Sequence, residues 1–590
     1  MAEFVDSAPQ ADAGFNIASY LPFMAQRAPD RPAIIMAKGL AAVSFAELES
    51  ISNRLANGLS GMGITPGMRV LVMVRPGVEF IALMFALFKM GAPPVLIDPG
   101  MGLGRLLDCI RQVEIDAFIG VPAAQAIRVF KNRVFRSVRY IVTVGRRWFW
   151  GGPTLAQLER GAADRFTAVP TRRDEAAAIL FTSGSTGPAK GVVYEHGMFD
   201  AQVRVIQSQY EIQEGEVDLS GFAPFALFSV AMGMTSIVPD MDFSRPGRVD
   251  PAKIVEAIGH FEVTNTFGSP AMWRRVAGYC LEREIRLPSL RRVLIAGAPV
   301  SRQLIEQVRG LLAARADVHT PYGATEAMPV TSISGAERNA ETEGTKASRR
   351  TSGHEGTKAP LTLRVKGRLR DEGTKGSAIP DAHVGTGICV GRVLPAMDAR
   401  LIRISDKPIP LWSDELLVPD GEVGEIVVSG PVVTKEYFNL PQADAMAKIG
   451  EGDRIWHRMG DVAYLDADGE LWFCGRKAHR VVTERGTLFS VCCEQVFNEH
   501  PAVFRSALVG VGPRGHQIAA LVVEPQPAHF PRTRRLAESF RIALLALGQA
   551  HSLTQGIEHI LFHRGFPVDV RHNTKIDRES LAVWVAKRLV

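Results

Sequence analysis

The 590-residue sequence has no run of about eighteen uncharged apolar residues, which excludes a conventional membrane-spanning helix. Its first residues, MAEFVDSAPQADAG, are acidic where a secretory leader would be basic and then apolar, so a cytoplasmic location is expected. Cysteine is scarce. Cys109, Cys280, Cys389, Cys474, Cys492 and Cys493 match no zinc spacing and no disulfide framework, and are read as reduced structural thiols. Excess charge is small as well: the net value is +6, and the segment Glu337 to Gly376 alone holds ten basic and six acidic residues. The rest is nearly neutral, and no nucleic-acid partner is expected. A P-loop is missing too, because no G-x-x-x-x-G-K-[ST] occurs where a phosphate loop would otherwise be sought.

What is present is FTSGSTGPAKG, Phe181 to Gly191, three glycines and four hydroxyl side chains closed by a lysine. Glycines permit the positive φ angles that turn successive backbone N–H groups inward as an anion nest. Thr182, Ser183, Gly184, Ser185, Thr186 and Gly187 are therefore candidate phosphate binders, with Lys190 adding charge. The apolar run AAAIL before them predicts a buried strand feeding the loop. Taken alone, such a segment also fits a flexible surface turn.

With its lysine and flanking glycine, the loop resembles the TSG-[ST]-TG-x-PKG signature of the adenylate-forming superfamily of acyl-CoA synthetases, luciferases and peptide-synthetase adenylation domains. Pro188 and Ala189 stand where that family has a residue and then proline. The resemblance implies an α/β fold: a large N-terminal domain of stacked α/β subdomains with a small β-subdomain, then a small mobile C-terminal α/β domain. The expected boundary divides 1–474 from 475–590. Independently, RVLVMV and PPVLID read as buried strands around the helix VEFIALMFALFKMG, a pattern of parallel sheet covered on both faces. Asn16 to Pro29 reads as an amphipathic helix, and Ser44 with Glu47 forms a capping box before another.

Further matches follow in order. VHTPYGATEA resembles YGxTE, which implies Tyr322 and Gly323 at adenine, Thr325 at the α-phosphate and Glu326 holding Mg²⁺. Read without the family, Glu326 is an exposed acid. Gly297, Ala298 and Pro299 end the strand RRVLIAGAPV, small residues against which a flat base can lie. IWHRMGDVAYLDADGELWFCGRK supplies Asp461 and Arg476 for the ribose, and HNTKIDR resembles the loop of the adenylation lysine, making Lys575 the candidate. ATP and Mg²⁺ are thus implied. FAPFALFSVAMGMTSIVP, dense in Phe and Met, matches the acyl pocket, with Phe225, Phe228, Met232 and Met234 as candidate walls and core packing as the alternative. Ala226, Leu227 and Phe228 stand where many members carry a histidine that closes over the acid.

Two segments depart from the pattern. Between Glu337 and Gly376, EGTK recurs at Glu343, Glu355 and Glu372 and aromatics vanish, so a disordered basic surface insertion is expected. Near the hinge, Ala478 and His479 replace the usual acidic or lysine residues, and GTLFSVCCE lacks a proline and reaches Glu494 one position late. The family's pantetheine path runs there, so CoA ligation is put in doubt. Between Ala126 and Trp150 basic and aromatic residues interleave, which fits peripheral contact with lipid or a helix and strand whose arginines snorkel.

Over nearly the whole chain the motifs look most like the β-lactone synthetases of long-chain olefin biosynthesis. That resemblance implies adenylation of a long-chain 2-alkyl-3-hydroxy acid, displacement of AMP by the β-hydroxyl, and other enzymes of the olefin pathway as partners. A long-chain fatty acyl-CoA ligase or fatty acyl-AMP ligase is the alternative, and a non-catalytic acyl or nucleotide scaffold is the reading from another class.

Overall fold

Ser44 Oγ accepts the Glu47 N–H at 3.2 Å while the Glu47 carboxylate accepts the Ser44 N–H at 2.8 Å, and from this capping box the helix Phe45–Gly61 runs as its periodicity predicts. In this computed structural model, residues 15–182, 189–337, 386–568 and 576–589 are described. The N-terminal helix is preceded by a 3-10 turn, Ile17–Ser19, capped by Asn16, and continues as Tyr20–Arg27.

The helix Val78–Lys89 is buried along almost its whole length because it connects two parallel strands, Val70–Met73 and Pro94–Ile97, and packs on their sheet. That six-stranded sheet continues with Ala117–Gly120 and Tyr140–Thr143 on one side. On the other lies Ala176–Thr182, parallel to Pro94–Ile97, followed by its antiparallel return Lys190–Glu195.

A second sheet of nine strands has a parallel centre, in which Arg292–Ile295 lies between Asn265–Gly268 and Asp317–Ala324. The two sheets share one apolar cluster: Val72 and Ala178 from the first, Ile34 and Val238 from the second, Leu83 and Phe85 from the helix. A six-stranded antiparallel sheet follows, built around Arg454–Leu465. From Val481 onward the chain forms a two-stranded hairpin and a separate three-stranded sheet, Val503–Val511, Ile518–Pro525 and His559–Phe562, with its own apolar clusters. The molecule is thus a large N-terminal α/β domain with a β-subdomain and a small C-terminal α/β domain. Of the basic insertion only Glu337 is among the described residues.

Candidate active site

The hairpin Ala176–Thr182 and Lys190–Glu195 holds the ends of the glycine-rich loop together, with Thr182 opposite Lys190 and Phe181 opposite Gly191. Gly191 is required by the close approach: a Cβ there would lie 2.7 Å from the Phe181 ring. Ser183, Gly184, Ser185, Thr186 and Gly187 lie outside the described residues, as does Lys575, and Thr182 is described at its backbone.

Asp317–Ala324 turns back as Ala327–Ser334, with Ala324 opposite Ala327, so Thr325 and Glu326 form the tip of a tight turn. Gly323 makes that turn possible, since a Cβ would meet the Ala327 carbonyl at 2.5 Å. The Thr325 carbonyl accepts the Tyr194 hydroxyl at 2.5 Å. Glu326 is held at both ends: its carbonyl accepts the Thr434 N–H at 2.8 Å and its Oε1 accepts the Tyr437 hydroxyl at 2.7 Å.

Tyr322, Asp461 and Arg476 come together from three separate stretches. Asp461 is opposite Arg476 across two antiparallel strands and pairs with it at 3.1 Å, while the Tyr322 hydroxyl donates to Asp461 Oδ2 at 2.7 Å. Asp461 is 4% exposed, and its charge holds the Arg476 guanidinium above its ordinary value. Burial, reinforced by Asp461, pushes the Tyr322 phenol well up, so it stays a donor at neutral pH. The strand Arg292–Ile295 runs parallel to Asp317–Ala324 with Leu294 opposite His319, and Gly297, Ala298 and Pro299 follow just beyond its C-terminal end. Gly297 has φ 92°, a conformation that favours glycine.

Around the helix Phe225–Ala231, aromatic rings form a ladder. Phe267 stacks on Phe225 at 4.8 Å, Phe225 meets Phe228 at 6.1 Å, Phe228 meets Phe199 at 6.0 Å, and Phe199 stacks on Tyr194 at 5.0 Å. The ladder therefore runs from the helix Phe225–Ala231 to the hydroxyl that holds Thr325. Met232 and Met234 are fully buried in the shared core. A small cavity is lined by Phe80, Ile81, Val238 and Phe243, and the residue of the helix Phe225–Ala231 that lines it is Ala226. Asp218 anchors this helix from below. Its carboxylate accepts Ser220, Ser229 and Asn265 at 2.5, 2.7 and 2.6 Å, yet burial still raises it to about 6.

A profile described as "AMP-binding enzyme" matches residues 23–438, from the first helix through the segment that carries Tyr437. The chain belongs to the AMP-binding enzyme family. Among curated relatives, the "Olefin beta-lactone synthetase" of Xanthomonas campestris is 45% identical, with 98% of each chain covered. That of Stenotrophomonas maltophilia is 43% identical over 97% of this chain and 98% of its own. Among solved structures, the amide bond synthetase McbA from Marinactinospora thermotolerans superposes with a TM-score of 0.73 at 21% identity, covering 97% of this chain and all of that one. The anthranilate CoA ligase AuaEII in complex with anthranoyl-AMP gives 0.74 at 17%, covering 99% of each chain. At such identities these likenesses concern the fold.

Within this AMP-binding enzyme, Tyr437, Thr434, Lys448 and His457 also face the site and were not legible in the sequence. Val433 bridges to Ala327 and Tyr437 to Val192, and the Phe438 N–H reaches the Gly191 carbonyl at 2.7 Å, so this segment ties the Lys190 hairpin to the Glu326 turn. The Lys190 ammonium lies 4.6 Å from the Tyr437 ring centre and that of Lys448 5.6 Å. Isolated bridges have no periodic signature; a tyrosine beside a turn was the only available sign.

The segment that departs from the family pattern has a structural role. Glu494 is paired with Arg578 at 2.5 and 2.9 Å and accepts the Leu508 N–H at 2.7 Å, inside the small domain. The residues present fit Mg²⁺. Among the described residues no cluster of three or more metal-binding side chains occurs, and Glu326 offers a single hard carboxylate, the arrangement expected when waters and substrate phosphates complete the shell.

Proposed function

We propose that this enzyme adenylates a long-chain 2-alkyl-3-hydroxy acid with ATP and then closes it to a β-lactone, in long-chain olefin biosynthesis. The observation that carries the reading is 45% identity along 98% of the chain to a protein named for that activity, with the Tyr322, Asp461, Arg476 and Glu326 positions converging on one site. In the first step the carboxylate oxygen attacks the α-phosphorus and pyrophosphate leaves. In the second the β-hydroxyl oxygen attacks the acyl carbon, its proton is lost, and the bond to AMP breaks. Proximity replaces a second substrate.

Glu326 would hold Mg²⁺, which supplies charge neutralisation for the phosphates when bound. Lys190 and the loop residues Thr182 to Gly187 are assigned to the β- and γ-phosphates, Thr325 to the α-phosphate, Tyr322, Gly323 and Gly297 to Pro299 to adenine, and Asp461 and Arg476 to ribose. Lys575 is assigned to the crowded oxygens of the first step, carried in by movement of a domain comprising residues 475–590. Phe225 and Phe228 are assigned to the acyl wall, with Met232 and Met234 behind them. Commitment of Glu494 to Arg578 supports release without CoA. Six buried cysteine thiols support a reducing, cytoplasmic setting. Exposed Phe130, Trp148 and Phe149 beside exposed arginines support peripheral contact with an anionic membrane, which an apolar substrate would favour. The other enzymes of the olefin pathway are the expected partners.

The test is mass spectrometry of the products from a long-chain 2-alkyl-3-hydroxy acid, ATP, Mg²⁺ and CoA. A β-lactone with AMP and pyrophosphate is expected; an acyl-CoA thioester as main product would overturn the lactone step. Lys575→Ala is expected to lower acid-dependent pyrophosphate release by about 10²-fold or more.

A further inference from the structure

The surroundings of Tyr437 hold one cation more than the reading above uses. Lys448 begins the strand Lys448–Glu451 and is opposite His457 on Arg454–Leu465. Its ammonium donates to the Thr434 carbonyl and, at 3.1 Å, to the Thr434 hydroxyl, which leaves its third N–H for another acceptor. Lys190 approaches the same Tyr437 ring. Among the described residues neither ammonium is in ion-pair contact with a carboxylate. The acids nearby are both engaged by Tyr437: Glu326 by its hydroxyl and Asp444 by its backbone N–H, at 2.7 Å each.

His457, 2% exposed, has an Nδ1 without a hydrogen-bond partner among the described residues. Burial, then the Lys448 and Lys190 charges, hold the imidazole well below its ordinary value. It is neutral at pH 7, so it adds no third cation and leaves a buried acceptor open. Two ammonium groups beside a neutral imidazole and a carboxylate that would hold Mg²⁺ exclude an apolar chain. They suit a polyanion that brings its own hydrogen-bonded partners.

We propose that Lys448 is a second cation for the triphosphate of ATP, acting beside Lys190 on the β- and γ-phosphate oxygens and stabilising the pyrophosphate that leaves as the adenylate forms. This rests on ATP being the substrate, as above, and deepens that reading by naming a positioning residue on the antiparallel sheet rather than on the glycine-rich loop.

The test is calorimetric titration of the full-length protein, with Mg²⁺, by ATP, pyrophosphate and AMP, alongside steady-state kinetics. Lys448→Met and Lys448→Gln are expected to weaken ATP and pyrophosphate about tenfold or more, leave AMP within about twofold, and raise KM for ATP but not for the acid. Lys448→Arg is expected to stay within about threefold of wild type. Unchanged pyrophosphate affinity in both neutral variants overturns the assignment while the adenylation reading stands. An equal loss of AMP and pyrophosphate, unrescued by arginine, overturns it too, because that is what a structural lysine produces. If the wild-type protein binds no ATP, the functional reading falls and this assignment with it.

Discussion

Tyr437 is the residue on which the charges of the site converge, with Glu326 on its hydroxyl, Asp444 on its N–H and two ammonium groups near its ring. Its hydroxyl fixes one carboxylate oxygen of Glu326, a bond to a charged acceptor worth about 1.5–3 kcal/mol. Tyr437→Phe is therefore expected to lower pyrophosphate release at saturating acid by roughly ten- to a hundredfold while the melting temperature changes little. Lys448 gives a pH prediction. Burial lowers its ammonium to about 8, with Lys190 pushing the same way and Glu326 and Asp444 opposing. The charged form is the one that grips phosphate, so kcat/KM for ATP should fall as pH rises through about 8, and Lys448→Arg should remove that limb. The sign for stability is opposite. The unfolded chain keeps the proton up to about 10.5, so the burial cost is full below 8 and shrinks as pH rises between the two values. At the residue scale the motif positions were legible, because Tyr322, Glu326, Asp461 and Arg476 sit in short contiguous signatures. Lys448 and His457 were not, because a lysine among alanines and a histidine in a strand say nothing until the register sets them opposite each other.

The antiparallel element that presents Asp461 is secured from beneath by a buried ion network. Arg458 reaches Glu425 through two bonds of 3.1 and 2.7 Å, and Lys477, just after the strand Leu471–Arg476, adds a third at 2.8 Å. The Glu425 and Arg458 side chains are 0% and 1% exposed, so breaking the pair leaves an uncompensated buried charge. Glu425→Gln should destabilise by about 3–5 kcal/mol, read as a lower denaturant midpoint. The helix Phe45–Gly61 and the strands around Val78–Lys89 followed from capping and periodicity because they are local or continuously apolar. The stretch GEVGEIVVSGPVVTKEYFN read as part of a small β-subdomain; that Val433 meets Ala327 and Tyr437 meets Val192 was opaque, since these partners lie more than a hundred residues away and pair through single bridges.

For the whole molecule, the edge strand of the first sheet, Tyr140–Thr143, bridged at Thr143 to Thr154, leads into Trp148 and Phe149 at 57% and 74% exposure, and Phe130 at 78%, Lys131, Arg133, Arg146 and Arg147 are exposed as well. No helix among the described residues is long and apolar enough to cross a membrane, so contact would be at the surface. Vesicles containing phosphatidylserine should sediment the wild-type protein at low salt and release it as salt rises. The variant R146E/R147E/W148A should stay in the supernatant with its pyrophosphate release on dispersed acid unchanged. Equal sedimentation of the two proteins would remove this surface from consideration.

By itself the sequence determined the family chemistry and the α/β plan. Anion nests, capping boxes and buried strands are written in neighbouring residues whose spacing is the physical requirement. Only the tertiary structure decided which cations share one tyrosine, that Met232 and Met234 belong to the core while Ala226 lines the cavity, and that Glu494 closes on Arg578. These are outcomes of strand register and helix packing between stretches far apart in the chain, and no local spacing encodes them.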